Sequence, residues 1–244
     1  MATASSSSNA GRLGVGRGSE HVFFLGMAFL MLAAVFTGFA RTYYLAGVFS
    51  APLPGLIIHI HGAVFSLWIL LLITQTSLVS GGRVDIHRRL GLAGFGLACV
   101  MVVLGVLAAN NMLARGIAPP GLDPKTFYAI PIGHMLLFAI LIASAYRARF
   151  NPSAHKRLIL LATILLTDAA VARSPLNVIT NRPYMSGIFA DCFVLLIVAY
   201  DLWSTRRVHR ATLWAGALVV IVPQLLVPLG STASWHAFVD WVHS

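Results

Sequence analysis

The sequence carries very little charge. Of its 244 residues, 10% are Asp, Glu, Lys or Arg, and 58% are hydrophobic. A soluble globular domain has about a quarter of its residues charged. A chain of this composition cannot cover a water-facing surface with polar groups, so the composition excludes an ordinary soluble protein.

Several familiar motifs are also lacking. The only two cysteines, Cys99 and Cys192, both fall inside long apolar runs, which argues against a disulfide framework. The chain has no Walker sequence, no G-x-S-x-G and no H-E-x-x-H. These absences exclude the P-loop, nucleophile-elbow and zincin classes in their motif-bearing forms.

Long apolar runs take the place of the missing charge. About 20 such residues span the hydrocarbon core of a bilayer as a helix. The sequence therefore predicts an all-α polytopic membrane protein with seven transmembrane helices, arranged as one leading helix plus three helical hairpins. The seven predicted spans are 21–41, 55–78, 90–112, 128–147, 157–176, 185–204 and 212–230.

The two ends of the chain differ from this central domain. Residues 1–19, "MATASSSSNAGRLGVGRGS", are rich in Ser and Gly and predict a disordered cytoplasmic tail. Residues 20–231 form the predicted seven-helix transmembrane domain. Residues 232–244 are expected to form a short outer segment whose tryptophans suit a membrane interface.

The basic residues are distributed unevenly. Of 17 Lys and Arg residues, 12 lie in the N-terminal tail and alternate loops and five lie in the other loops. The positive-inside rule then places the N-terminus in the cytoplasm and the C-terminus outside. The excess positive charge is a topology signal rather than a nucleic-acid footprint, so no nucleic-acid partner is expected. Asp201 is expected to pair with Arg206 or Arg207 at the cytoplasmic surface.

A similar phrase recurs where the chain re-enters the membrane from the basic side. The three instances are "HRRLGLAG" from His87, "AHKRLILLA" around His155 and "HRATLWAG" from His209. His, Arg and Lys at a helix start anchor it at the interface by snorkelling, and we favour this interpretation. The alternative is that these histidines bind lipid head groups or a cofactor near the inner surface.

Ionisable residues inside the spans point to a site nearer the other surface, because burying them in a membrane is costly. His61 of "IHIHG", His134 and Asp191 each lie about 9 Å below the outer end of their span, and Asp168 about 12 Å. Four helices thus each contribute one His or Asp at a similar depth.

Further polar residues are predicted to support this layer. Arg41, Tyr43 and Asn110 lie near the same level, and Arg173 lies nearer the surface. His59 is two residues from His61, about 200° around a helix, and is expected to face the outer rim.

The leading hypothesis is a transition-metal site. Imidazole and carboxylate groups suit Zn²⁺, Fe²⁺ or Mn²⁺, and a bound ion offsets the cost of burying two carboxylates. His61, His134, Asp168 and Asp191 are the predicted ligands, for redox or hydrolytic chemistry on a lipid-soluble substrate. A structural ion-pair network is the alternative for the same residues, and whether the protein is an enzyme stays open.

Two other hypotheses remain. His61 on the second span and His134 on the fourth are candidate axial ligands to a b-type haem. His87 and His155 could hold a second haem at the inner surface, but they lie in basic turns rather than within the predicted spans, which argues against it and favours a single haem. This alternation resembles cytochrome b561-type electron carriers, in which paired histidines on alternate helices hold two haems. A proton-coupled transporter using Asp168, Asp191 and His134 is the third hypothesis.

Most of the chain also resembles a known group of sequences. The stretch from "HIHGAVFSLWILLLITQ" through "HRRLGLAGFG", together with "AHKRLILLATILLTDAA", resembles a group of uncharacterised bacterial multi-pass membrane proteins over about residues 20–205. That group has no established activity to transfer. The resemblance implies a bacterial inner-membrane location, with the lipid bilayer as the main partner.

Overall fold

The computed structural model describes residues 7–52, 54–175 and 185–243. Within these ranges the chain is all-helical, with eight α-helices, a short π-helical segment at Ala40–Tyr44 and no strand. The all-α class is therefore confirmed. The helices are α1 Ser7–Phe39, α2 Leu56–Ser80, α3 Val84–Ala114, α4 Pro124–Arg147, α5 Pro152–Val171, α6 Met185–Thr205, α7 Arg210–Gly230 and α8 Ala233–Val242.

Six of the described helices are long and apolar enough to cross a membrane. They are 18–44, which joins the end of α1 to the π-helical segment, all of α2, α3, α4 and α7, and 187–205 of α6. The chain is thus a multi-pass membrane protein, but the predicted count of seven spans is not confirmed. Helix α5 is the exception, because it carries Lys156, Arg157 and Asp168 among its apolar residues.

Helix α5 tolerates these charges because it lies inside the bundle. It packs against α1, α4, α6 and α7. Leu161, Ala162 and Ile164 are fully buried in it. A helix that faces protein on most sides does not need a lipid-compatible surface, so its composition is freer than that of its neighbours.

Both chain ends differ from the prediction in detail. Helix α1 begins at Ser7, so residues 7–19, predicted as part of a disordered tail, continue the first helix. Extending an existing helix adds one hydrogen bond per residue without a new nucleus, which favours this continuation. Residues 1–6 lie outside the described part. The C-terminal segment forms α8, which packs on α4 and α7.

Helices α2 to α5 form the framework for the histidines. Consecutive helices pack side by side, and α1 contacts both α2 and α5. Trp68 of α2 reaches across the middle, where its indole nitrogen donates to Thr163 Oγ1 of α5 (3.1 Å). Its ring also meets Phe138 of α4 edge-on, with centroids 5.7 Å apart. Thus α2 and α4, which run in the same direction, approach each other through the core.

The bundle has two ends. We call the end that carries the turns at 81–83, 148–151 and 206–209 the basic end. The opposite end carries the starts of α2 and α4 and the end of α5.

Candidate functional site

The structure brings two histidines together at the basic end. His87 and His155 are each the fourth residue of their helices, α3 and α5. Their ring centroids lie 6.4 Å apart and the ring planes are nearly perpendicular, at 80°. The sequence predicted both residues in basic turns just before the spans 90–112 and 157–176, whereas the structure places them inside helices. Each helix begins three residues earlier, so both rings are held by regular backbone.

In each ring of this pair, Nδ1 makes a hydrogen bond to a neighbouring residue. His155 Nδ1 lies 2.8 Å from the backbone carbonyl of Ala145, to which it donates. The Gln75 amide nitrogen donates to His87 Nδ1 (2.7 Å), and its oxygen accepts from the Gly91 amide (2.9 Å). Among the described residues, neither Nε2 atom of the pair has a hydrogen-bond partner. The pair is thus oriented through Nδ1 and open at Nε2.

The opposite end holds His61 of α2 and His134 of α4. Each has a buried ring nitrogen without a hydrogen-bond partner in the described structure, Nδ1 of His61 and Nε2 of His134. His134 is only 6% exposed. Such orphaned groups are rare, because burying an unpaired polar atom costs about 1–3 kcal/mol.

The faces of α2 and α4 that carry His61 and His134 can be followed from the Trp68–Phe138 contact. His61 precedes Trp68 by two helical turns, and His134 precedes Phe138 by about one turn, so each shares a helix face with its aromatic partner. Since Trp68 and Phe138 touch, the faces that carry the two histidines converge on the same side of that contact. His61 also stacks on Phe65, with centroids 4.0 Å apart.

Acidic and basic groups surround His134. Asp168 lies within electrostatic range of His134, Arg173 and Asp191. One carboxylate oxygen of Asp168 is buried without a partner, and so is the hydroxyl of Ser174. Sequence reasoning missed Ser174, because a serine beside a helix end carries no signal of its own.

The four predicted metal ligands do not converge. No group of three or more His, Cys, Asp or Glu side chains in the described residues is placed to hold a metal ion. His61, His134, Asp168 and Asp191 therefore do not form a first coordination shell in the described structure. The transition-metal hypothesis gains no support from this arrangement.

Three of the predicted supporting residues lie where the π-helical segment meets α2. Tyr43 donates from its hydroxyl to the His59 carbonyl (3.0 Å), and the two rings lie 5.4 Å apart. His59 is exposed, as expected for the outer rim. Arg41 is also exposed and lies over the Phe49 ring, so it is no partner of the buried layer.

The other two supporting residues, Asn110 and Arg173, also lie at the opposite end. Asn110 accepts a hydrogen bond from the Tyr128 hydroxyl (2.6 Å), which joins α3 to α4. Arg173 donates to the Ala169 carbonyl (2.8 Å) and lies over the Phe39 ring. Asn110 is thus structural, whereas Arg173 belongs to the charged surroundings of Asp168.

A buried ion pair lies near the basic end. Asp201 of α6 is fully buried and pairs with Arg157 of α5, which is 4% exposed. Its second oxygen accepts from the Thr212 hydroxyl (2.6 Å) and the His209 amide (3.0 Å). The prediction that Asp201 pairs with a neighbouring arginine of its own loop is therefore wrong. A partner 44 residues away in the sequence cannot be predicted from the residues next to Asp201.

Comparison with known proteins gives no identification. No protein-family model, no curated protein and no solved structure matches this chain.

Proposed function

We propose that the protein is a transmembrane electron carrier that binds b-type haem between histidines on alternate helices. His87 and His155 would hold one haem at the basic end, and His61 and His134 would hold a second at the opposite end. The single observation that carries the proposal is the paired arrangement of the His87 and His155 rings.

The pair at the basic end, His87 and His155, has a spacing suited to one iron between two imidazoles. The two rings lie 6.4 Å apart, a spacing that would suit one metal ion bonded to a nitrogen of each ring at about 2 Å. Ligating histidines usually hydrogen-bond their other nitrogen to a carbonyl or amide, which fixes the ring orientation. Ala145 does this for His155. For His87 the neighbour is Gln75, whose amide nitrogen donates to Nδ1. Binding of a metal at Nε2 therefore requires the Gln75 amide to turn over and give up its bond from the Gly91 amide.

The opposite pair fits for a different reason. His61 and His134 have buried nitrogens without partners, and a ligand bound there removes the cost of leaving them unpaired. Trp68 and Phe138, which meet edge-on, lie on the inner side of this pair.

The two pairs are suitably separated for transfer across the membrane. His155 and Asp168 are 13 residues apart on α5, which is about 20 Å of helix. Asp168 lies beside His134, so this is roughly the spacing between the two levels. When bound, haem iron supplies reversible one-electron oxidation and reduction. The chain's own part would be to hold the two haems at separate levels, with Trp68 and Phe138 between them.

The other hypotheses rank below this one. A transition-metal site needs three or more converging ligands, which the four residues do not provide. The transport hypothesis stays a prediction, since no arrangement specific to transport supports it.

The test is haem content and visible absorption of the purified full-length protein, expressed with haem precursor. We expect a b-type spectrum with two haems per chain. His155→Ala is expected to lose one haem and His134→Ala the other. His59→Ala is the matched control, because His59 is an exposed histidine two residues from His61 and should keep both.

Absence of haem from well-folded wild-type protein overturns the proposal. Full occupancy in both His155→Ala and His134→Ala overturns it as well. Loss of the same single haem in both variants would reduce the protein to a one-haem carrier.

A further inference from the structure

The third basic turn, at His209, takes no part in the histidine pairs. It lines a cleft of about 570 Å³ at the basic end, where α4 ends and α5 and α7 begin. Arg147, Asn151, His209 and Arg210 supply the polar wall, and Leu158 and Trp214 supply much of the apolar wall. Its volume lies within the range of small-ligand sites, about 300–1,000 Å³.

The charge of this cleft is positive and uncompensated. Among the described residues that line it, none carries a carboxylate. The nearby Asp201 carboxylate already pairs with Arg157 and accepts hydrogen bonds from Thr212 and the His209 amide. Arg147 and Arg210 are both exposed, and neither side chain makes an ion pair or hydrogen bond within the described structure. Two guanidinium groups beside one cleft thus lack a counter-charge.

The two cap residues in the cleft add hydrogen-bond donors. His209 Nδ1 accepts from the Ala211 amide (3.0 Å), so the neutral ring carries its proton on Nε2. Burial, with the charge of Arg157, lowers the pKa of His209 and keeps the ring neutral near pH 7. The Asn151 side-chain oxygen accepts from the Ala154 amide (3.3 Å), which leaves its NH₂ group free to donate.

The apolar wall belongs to the membrane-facing part of the bundle. Trp214 is 41% exposed and sits one turn into α7, a helix apolar enough to cross a membrane. Leu158 is buried at the back of the cleft. A ligand that meets both walls has an anionic head and an apolar body.

We propose that this cleft binds the phosphate headgroup of an anionic phospholipid, with its acyl chains beside Trp214. Arginine is suited to phosphate because its guanidinium donates two parallel, charge-assisted hydrogen bonds. Basic pockets between transmembrane helices bind anionic lipid headgroups by this chemistry. The site is independent of the histidine pairs and of any haem.

The test uses full-length protein in detergent with phosphatidylglycerol or phosphatidylcholine, and native mass spectrometry measures the retained lipid. Wild type is expected to retain phosphatidylglycerol in preference to phosphatidylcholine. Retention by the double variant Arg147→Gln/Arg210→Gln is expected to fall by about tenfold or more, as for the loss of charge-assisted bonds. Arg83→Gln is the matched control, since Arg83 is exposed at the same end and outside the cleft.

Further variants distinguish a loss of lipid binding from a failure of the protein to fold. Arg147→Lys/Arg210→Lys keeps both charges and should retain most of the lipid. The single variants Arg147→Gln and Arg210→Gln should each show an intermediate loss. Equal retention in wild type and the double glutamine variant overturns the proposal, and so does equal retention of the two lipids.

A second measurement separates a phospholipid from a free anion. Inorganic phosphate is added as a competitor to protein loaded with phosphatidylglycerol. We expect little displacement, because inorganic phosphate has nothing to place against Leu158 and Trp214. Full displacement at millimolar phosphate would make a free anion the ligand and overturn the phospholipid.

Discussion

The two ends of the helix bundle treat buried polar groups in opposite ways. At the basic end, Asp201 is fully buried and its two oxygens bond to Arg157, Thr212 and the His209 amide. At the opposite end, four buried polar atoms have no partner within the described structure. They belong to His61, His134, Asp168 and Ser174.

This difference separates structural polarity from functional polarity. A satisfied buried network holds α5, α6 and α7 in register and costs little to keep. Unsatisfied groups cost free energy in the resting fold, so their presence in one layer points to a ligand or a proton that satisfies them. The histidine pair at the basic end is intermediate, because its Nδ1 atoms are held and its Nε2 atoms are open.

The largest expected effect is removal of the buried carboxylate. Asp201→Ala leaves the Arg157 guanidinium buried without a counter-charge, which should cost about 3–5 kcal/mol of stability. Thermal unfolding in detergent measures the loss, and Asp201→Asn should fall between the alanine variant and wild type. An alanine variant as stable as wild type would show that the ion pair at the basic end does not hold the helices together.

Close packing at the opposite end gives the next largest effect. A Cβ added at Gly38 would lie 2.1 Å from the backbone oxygen of Ala170, which cannot rotate away. Gly38→Ala should therefore separate α1 from α5 and cost about 1–3 kcal/mol. At Gly26, on the same helix, an added Cβ meets nothing within 4 Å. Gly26→Ala is the matched control in the same unfolding assay, and equal losses in both variants would contradict the packing.

The two histidine pairs should respond differently to an apolar substitution. In haem-free protein, His134→Leu removes an unpartnered buried nitrogen and should raise stability by about 1 kcal/mol. His155→Leu removes the bond to the Ala145 carbonyl and should lower stability by about the same amount. Unfolding of both variants in parallel gives the signs. A shift in the same direction for both would break the distinction between the two ends.

The smallest expected effect is a pH dependence at the start of α4. Hydrogen bonds from Thr126, by its side chain and its amide, lower the pKa of the Asp123 carboxylate, which caps the helix. A lowered pKa gives stability that is present above the ordinary Asp value and is lost as pH falls through the folded value. Asp123→Asn keeps a capping oxygen that does not titrate. Its unfolding midpoint, compared with wild type from neutral to acid pH, should show the wild-type advantage disappear on acidification.

Local sequence signals predicted much of the fold. Apolar runs gave the helices of a multi-pass membrane protein, since the bilayer leaves a polypeptide few other ways to satisfy its backbone. Their order also placed His61 and His134 on two parallel helices at similar depth. The interior position of α5 was not predicted, although its three charged residues set its apolar run apart from those of its lipid-facing neighbours.

The site was predicted in part. Three of the four predicted layer residues, His61, His134 and Asp168, have an orphaned buried atom. The metal geometry was not supported, because depth along a helix says nothing about whether side chains converge. Ser174 was missed because it has meaning only through its burial.

The sequence by itself determined that the chain is a multi-pass helical membrane protein, since this follows from its composition and its long apolar runs. Only the tertiary structure decided which polar groups meet. His87 pairs with His155 across 68 residues and Asp201 with Arg157 across 44, whereas His134 keeps an unpaired nitrogen. The reason is that partners on different helices are chosen by packing angle and rotation, which no local pattern encodes.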